Sequence, residues 1–581
     1  MAQLDNTSKD DPRKGPIAVV GAGLSGLITA YTLIRDGFED VQVLTRDARV
    51  GGNWTNEKIY PGLYLNSVHG EYCVSPLEMP RPTSDHGRTS GDDINKYLET
   101  FASKFLAGGK IQFGIEARNI RRLPSGSGWH VEVYDRNTGR TQDREYRRVV
   151  LCTGGQSAPK FPPKLNPDTA ITSGFNGMVF HSSDFGSRLS DLLASVPPVD
   201  LNSRSEVPSV VVVGGGKSAL DVASYLANEG RKVALVCPNF DAFLASSKPL
   251  PDWVRKSRLL SLFSPHIHLR TWLERFVHTT WLGKKVFDLF WSGLVSDAFN
   301  AASIPMDSVL RNTVSSYWHD RVNDEGVPQP NGFHALALSG RIGVVSPAYA
   351  TEFSEDGKSV ILDNGSSIRA SAVVLATGYH SSWLPMFDDN TVEELGLNPR
   401  PADSNASSYT WEYRTLRDPP PLNPDAKRLS SSIYRGIVPA KNIQRRDFAV
   451  NGAIFSTHFG YMLEVGSHWI SSYFLGDDMR LPATPEAALE ETERQSAWLR
   501  HRYPQVSPTA NSSHTSNIGF WGWPQVADDL LEDMGLEAMR SGGSWLTWPF
   551  RVVQIKEIAG LKEERDARRA RAMRKQASAS A

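Results

Sequence analysis

The sequence predicts an α/β fold of two doubly wound, parallel-sheet units in one chain, with a helical insertion. Three observations predict it. The order strand, glycine turn, helix, strand occurs twice, at PIAVVGAGLSGLITAYTLIRDGFEDVQVLT and at PSVVVVGGGKSALDVASYLANEGRKVALVC. A short apolar strand running into Thr-Gly also occurs twice, ending at Thr153-Gly154 and at Thr377-Gly378. From His266 to Val295, Leu269, Trp272, Leu273, Phe276 and Val277 recur at three-and-four spacing, which predicts a packed helix.

Composition sets the limits. The 581 residues exceed one core and fit two or three domains. Forty per cent hydrophobic and 22% charged residues describe an ordinary globular protein, and a net charge of −1 draws in no nucleic acid. Cys73, Cys152 and Cys237 form no CxxC pair, so a disulfide framework or thiol redox centre is not expected, and a reducing compartment is. No metal site is expected either. The segment MAQLDNTSKDDPRKGP has no apolar signal core and reads as a disordered lead-in. No apolar run reaches the roughly 18 residues of a membrane span. A cytoplasmic enzyme is expected, with the helix at 266–295 leaving peripheral membrane association open.

In the first unit, Ile17–Val20 reads as a buried parallel strand. In the turn that follows, Gly21 allows the tight bend, Gly23 lets a pyrophosphate approach the backbone, and Gly26 lets helix and strand pack closely. Ala22 and Ser25 complete it, and the helix N-terminus offers free N–H groups to phosphate. Leu27, Ala30, Tyr31 and Ile34 share one face of that helix. The strand and helix context makes this a Rossmann-like dinucleotide site. The acid that usually holds the ribose is replaced by Thr45, and Asp47 is the other residue in reach.

The second turn is Gly214, Gly215, Gly216, Lys217, Ser218 and Ala219, with Asp221 one residue beyond the next leucine. Two such sites suggest two cofactors exchanging electrons, a flavin and a nicotinamide. Without a CxxC, dioxygen is the acceptor. No arginine follows the second strand, which reads Val236-Cys237-Pro238-Asn239, so Lys217 is the candidate for gripping a 2′-phosphate. The segments 186–209 and 401–430 read as a Pro/Ser-rich connection and a long surface loop. The tail from Lys562 to Lys575, seven basic and three acidic residues, reads as a solvated helix.

Between the two turns lies FNGMVFHSSDF. Its Phe175, Gly177, His181 and Phe185 resemble the F-x-G-x-x-x-H-x-x-x-[F/Y/W] fingerprint of class B flavoprotein monooxygenases, the FMO-type and Baeyer–Villiger enzymes. The order FAD turn, fingerprint, NADP turn and LATGY strand is similar too, over about residues 15 to 475. Gly51-Gly52-Asn53-Trp54 resembles the family's flavin-contacting GG-x-W. The segment Tyr60–Ser67 resembles the one that reaches the isoalloxazine edge, with Asn66 where Baeyer–Villiger enzymes carry aspartate and FMO-type enzymes asparagine. Asn66 and Phe185 point to FMO-type chemistry.

The resemblance implies residues 1–166 and 367–581 as a discontinuous FAD-binding domain. It implies 167–366 as the NADP-binding domain, with the insertion at about 250–325. It implies FAD and NADPH as cofactors, and a flavin C4a-hydroperoxide delivering one oxygen atom from O2 to a small organic substrate, as in natural-product pathways of fungal type. Gly52, Asn53, Trp54, Asn66 and Ser67 would contact FAD. Asn66 would be the catalytic amide, and His181 would position and couple the domains. A Baeyer–Villiger enzyme acting on a ketone, an oxidase releasing peroxide and a non-catalytic redox sensor are the alternatives.

Overall fold

The computed structural model describes residues 11–580 apart from 83, 85–86, 155–157, 200–206, 399, 403–408, 423–428 and 507–515. The first sheet is wholly parallel, in the order Phe448–Val450, Arg148–Leu151, Pro16–Val20, Asp40–Thr45, Ile111–Phe113. Five strands of the second sheet repeat that order, as Met178–His181, Ser367–Leu375, Ser209–Val213, Val233–Val236, Ile342–Val345, again all parallel. Each unit inserts antiparallel strands between its third strand and its Thr-Gly strand. These are Ile115–Arg122, Trp129–Asp135 and Arg140–Tyr146 in the first, and Ala350–Phe353 and Ser359–Leu362 in the second.

The repeat extends to single hydrogen bonds. Gly21 N–H donates to the Leu44 carbonyl at 2.8 Å, and Gly214 N–H to that of Val236 at 2.9 Å. Cys152 N–H donates to Val20 and Ala376 N–H to Val213, each at 2.8 Å. A Cβ on Gly21 would lie 2.3 Å from the Cys152 carbonyl oxygen, and one on Gly214 2.4 Å from that of Ala376. Both glycines also have left-handed φ, +116° and +137°. The helices that follow, Leu24–Arg35 and Lys217–Asn228, bury one face against their sheets. The first starts at Leu24, so Gly26 lies inside its opening turn.

Several expectations need correction. The boundary expected before residue 367 separates Ser367–Leu375 from the strands it pairs with, Ser209–Val213 and Met178–His181. Both units end a strand in Thr-Gly, and the motif alone does not say which sheet it joins. The connection expected from residue 186 opens instead with the helix Phe185–Ser195, which buries Phe185 and Leu192. The expected helix at 266–295 is two, Trp272–Thr279 and Trp281–Ala301, divided at Thr280 and each capped by a threonine hydroxyl. Leu269 precedes them, and Trp272 faces outward. The loop at 401–430 holds a 3₁₀ turn, Arg414–Leu416, and packs Trp411 and Tyr413 on Trp498. Part of it, and most of the N-terminal lead-in, lie outside the described residues.

The tail is a helix, Leu561–Ser580, but it is not solvated all round. Arg565 is 2% exposed and reaches Asp36, at the C-terminal end of the Leu24–Arg35 helix. It also approaches His468 Nδ1 at 2.9 Å and donates to Ser472 Oγ at 3.2 Å on the helix Phe459–Leu475. A buried cation left without its anion, or the reverse, is the costly case. Two stability predictions follow from this helix. Arg565→Ala is expected to lower the unfolding free energy by about 3–5 kcal/mol, read as a fall in Tm that adding Asp36→Ala partly restores. Glu464 on the same central helix accepts from Ser75 N–H at 2.7 Å, and burial raises its pKa from 4.5 to about 7. Because the folded value is the higher one, its stabilising contribution is fully present below the usual carboxylate range and is lost as pH rises through about 7. Denaturant melts across that window should show wild type falling relative to Glu464→Gln, and parallel curves would contradict it.

Candidate functional site

The first glycine turn is closed by the loop that follows the second strand. Gly51 N–H donates to the Ala22 carbonyl at 3.0 Å, and a Cβ on Gly52 would sit 3.2 Å from Gly23 Cα. Gly23 caps its helix without a side chain, so the first-turn N–H groups point freely outward. A Cβ on Gly26 would fall 1.9 Å from the Gly21 carbonyl oxygen, and Ser25 lies against Gly452. Trp54 turns its ring edge-on to Tyr72 at 5.9 Å, Tyr72 meets Phe459 at 5.2 Å, and Asn95 Nδ2 donates to the Trp54 carbonyl at 2.7 Å. Asn53 is exposed. Aromatic side chains thus stand near a glycine-capped helix N-terminus, a combination that fits a flavin dinucleotide.

At the ribose end, Thr45 is buried and its hydroxyl accepts the Asp47 N–H at 3.3 Å. Asp47 pairs with Lys58 at 3.2 Å, and Lys58 donates to the Gly52 carbonyl at 2.9 Å. Both candidate ribose groups therefore already have local partners.

Asn66 lies on the strand Tyr64–Val68, beside the buried Ser67. Its Nδ2 donates to the Val322 carbonyl at 2.8 Å, whereas its buried Oδ1 has no partner among the described residues. One of the two amide N–H groups is thus engaged by the protein, and the buried Oδ1 is an acceptor left to meet a cofactor. Behind it sits a charge network that sequence reasoning missed. Arg88 donates to the Asn66 carbonyl and pairs with Asp324 at 2.7 Å. Arg255 pairs with Asp324 at 2.6 Å and Glu71 at 3.0 Å, and donates to the Asn66 carbonyl at 3.3 Å. Glu71 also accepts the Val68 N–H at 2.8 Å. Burial alone would raise Asp324, but Arg88 and Arg255 hold its carboxyl below the usual range. Burial alone would likewise lower Arg255, and Glu71 and Asp324 reverse that.

The second turn caps its helix with Gly216, again without a side chain, and Ala219 is fully buried while Ser218 is exposed. Lys217 does not stand free as expected. It binds Asp221 at 2.5 Å, an i,i+4 pair, and burial holds the Asp221 carboxyl above its usual value although Lys217 offsets part of the rise. Asp241 lies closer to the turn, its carboxylate 2.9 Å from where a Gly216 Cβ would be, with Arg321 Nε 3.6 Å away.

The first fingerprint residues pack within the second unit, and the last, Phe185, reaches the first. Phe175 stacks near Phe353 at 4.8 Å, and a Cβ on Gly177 would fall 2.2 Å from the Ser371 carbonyl oxygen. His181 is fully buried; its Nε2 lies 3.0 Å from the Gly378 carbonyl and its Nδ1 accepts the Ser183 N–H at 3.1 Å. Burial lowers its pKa, which keeps the ring neutral and suits positioning. Phe185 meets Tyr60 of the first unit edge-on at 4.8 Å, and Tyr60 meets Tyr225 at 6.2 Å. The aromatic that ends the fingerprint could have signalled the junction; nothing local could have signalled Arg88, Arg255 or Asp324.

Against known proteins, the sequence matches the flavin-binding monooxygenase-like family over residues 14–396. It is 26% identical to an FAD-dependent monooxygenase of Aspergillus nomiae, covering 95% of this chain and 96% of that one. It is 26% identical to another of Pyrenophora dematioidea, covering 84% and 93%. Cyclohexanone monooxygenase from Rhodococcus sp. Phi1, solved with NADP+, shares the fold over 89% of this chain and 97% of its own, with a TM-score of 0.57 and 17% identity. One substitution tests the first turn. Gly26→Ala should purify with little bound FAD, read from visible flavin absorbance, whereas wild-type FAD content would contradict the assignment.

Proposed function

Because this chain belongs to the flavin-binding monooxygenase-like family and is an FAD-dependent monooxygenase, we propose that it takes electrons from NADPH. It passes one atom of O2 into a small organic substrate by N-, S- or C-oxygenation. Bound FAD supplies the oxygen activation, and the protein supplies binding, orientation and exclusion of water. The first turn and the Gly52–Trp54 loop hold FAD, and the second turn holds the nicotinamide dinucleotide. The relatives of Aspergillus nomiae and Pyrenophora dematioidea are fungal FAD-dependent monooxygenases, which favours a natural-product type of substrate. Among the described residues, no helix is long and apolar enough to cross a membrane.

The observation that carries the FMO-type reading is Asn66. A neutral amide with a buried, unpartnered Oδ1 stands where a carboxylate would bring negative charge. Such an acceptor can receive a proton-bearing group of the cofactor pair without favouring an anion beside it. Phe185 packs edge-on against Tyr60, four residues before the strand that carries Asn66.

The test compares amine, sulfide and ketone substrates for oxygenated product per NADPH consumed, with hydrogen peroxide measured in parallel. Product from amines or sulfides is expected. Lactone or ester from ketones alone would point to Baeyer–Villiger chemistry, peroxide alone to an oxidase, and no turnover to a sensor. Asn66→Ala is expected to keep FAD and to cut product by about 10²-fold, with more peroxide released; unchanged coupling would remove Asn66 from the catalytic role.

A further inference from the structure

The helical insertion carries a surface that the oxygenation chemistry does not use. The exposed tryptophans among the described residues are Trp253, Trp272, Trp281 and Trp545, between 49% and 68% exposed, and all four lie here. Trp545 meets Trp272 edge-on at 5.6 Å, and Trp253 meets Phe550 at 6.0 Å. Val553 N–H donates to the Lys256 carbonyl at 2.8 Å, which ties the 545–553 segment along the insertion. On the helix Trp281–Ala301, Gly283, Phe287 and Trp291 face inward, while Leu282, Val286 and Leu289 form an exposed stripe at i, i+4, i+7. At its N-terminal half the outer side of this helix carries an apolar stripe among Lys285 and Asp288, and beyond it the exposed side turns polar with Ser292, Ser296 and Asp297. So large an aromatic surface marks an interaction site.

Charge identifies the partner. Lys248, Arg275, Lys285, Arg551 and Lys556 are exposed on these same segments, and none has an acidic partner among the described residues. The acids Asp252 and Asp288 are each paired, with Lys256 at 3.1 Å and Lys284 at 2.8 Å, and Asp297 lies two turns beyond the stripe. Lys285 also stands 5.5 Å over the Trp281 ring. A second copy would set these cations against themselves across a two-fold interface. Tryptophan rings and a fringe of lysine and arginine instead match the headgroup region of an anionic bilayer.

We infer that the surface formed by Trp253, Trp272, Trp281, Leu289 and Trp545 is a monotopic docking face for an anionic membrane, distinct from the cofactor turns. It holds the enzyme on a lipid surface without crossing it. This inference is independent of the oxygenation reading.

Flotation of the full chain with phosphatidylcholine vesicles, with and without phosphatidylserine, tests it. The protein should float with the anionic vesicles, show a blue-shifted tryptophan emission there, and be released by salt. Trp272→Ala with Trp545→Ala should lower partitioning by about tenfold on vesicles of either composition, and Lys285→Glu with Arg551→Glu only on the anionic ones. FAD content and Tm close to wild type confirm that the variants fold. Failure to float, equal binding to both vesicle types, or a dimer in buffer that the tryptophan substitutions dissolve would each overturn the inference.

Discussion

Two guanidiniums and two carboxylates meet behind Asn66, and the geometry around that residue depends on them. Arg88, Arg255, Glu71 and Asp324 are largely buried, so each charge is tolerable only because an opposite one is within hydrogen-bond reach. The four sum to zero, and both arginines also donate to the Asn66 carbonyl. Arg88 and Glu71 flank the strand that carries Asn66, whereas Arg255 and Asp324 come from the insertion. The network therefore joins the two units at the residue with an unmet acceptor. Losing one member would strand charges of the other unit in low dielectric, which makes the junction stiff.

The fingerprint orders the second sheet and, through Phe185, meets the same junction. Gly177 allows Met178–His181 to run close to Ser367–Leu375, and His181 fixes the Gly378 turn at the end of that strand. Phe185 then reaches Tyr60, four residues before the strand of Asn66. What reads in sequence as a signature is a set of close approaches between backbone segments. The glycine turns work the same way, each fitted against the carbonyl that follows its neighbouring strand.

Much of this was legible because it is local. Each βαβ unit is specified within about thirty residues by strand composition, glycine spacing and helix pattern, and the strands at Ile17–Val20 and Val210–Val213 lie where that pattern puts them. The charge network was not legible, since Arg88 and Asp324 are 236 positions apart and neither carries a motif. The Lys217–Asp221 pair follows the i,i+4 rule, yet the expectation of a phosphate-gripping lysine hid it. The tail helix reads as solvated because six of its seven cations are not deeply buried; only Arg565 betrays the docking onto Asp36. The insertion shows the opposite error. Its apolar spacing predicts packing, and the fold leaves part of that face outside.

The central claim is that the position of Asn66, held by the network, decides whether activated oxygen reaches substrate. The most direct measurement is the share of consumed nicotinamide cofactor that appears as hydrogen peroxide in Asp324→Asn, a variant that keeps the side-chain shape and removes the charge. The account predicts a several-fold larger peroxide share with FAD content unchanged. Coupling equal to wild type, with Asp324 neutralised, would contradict it.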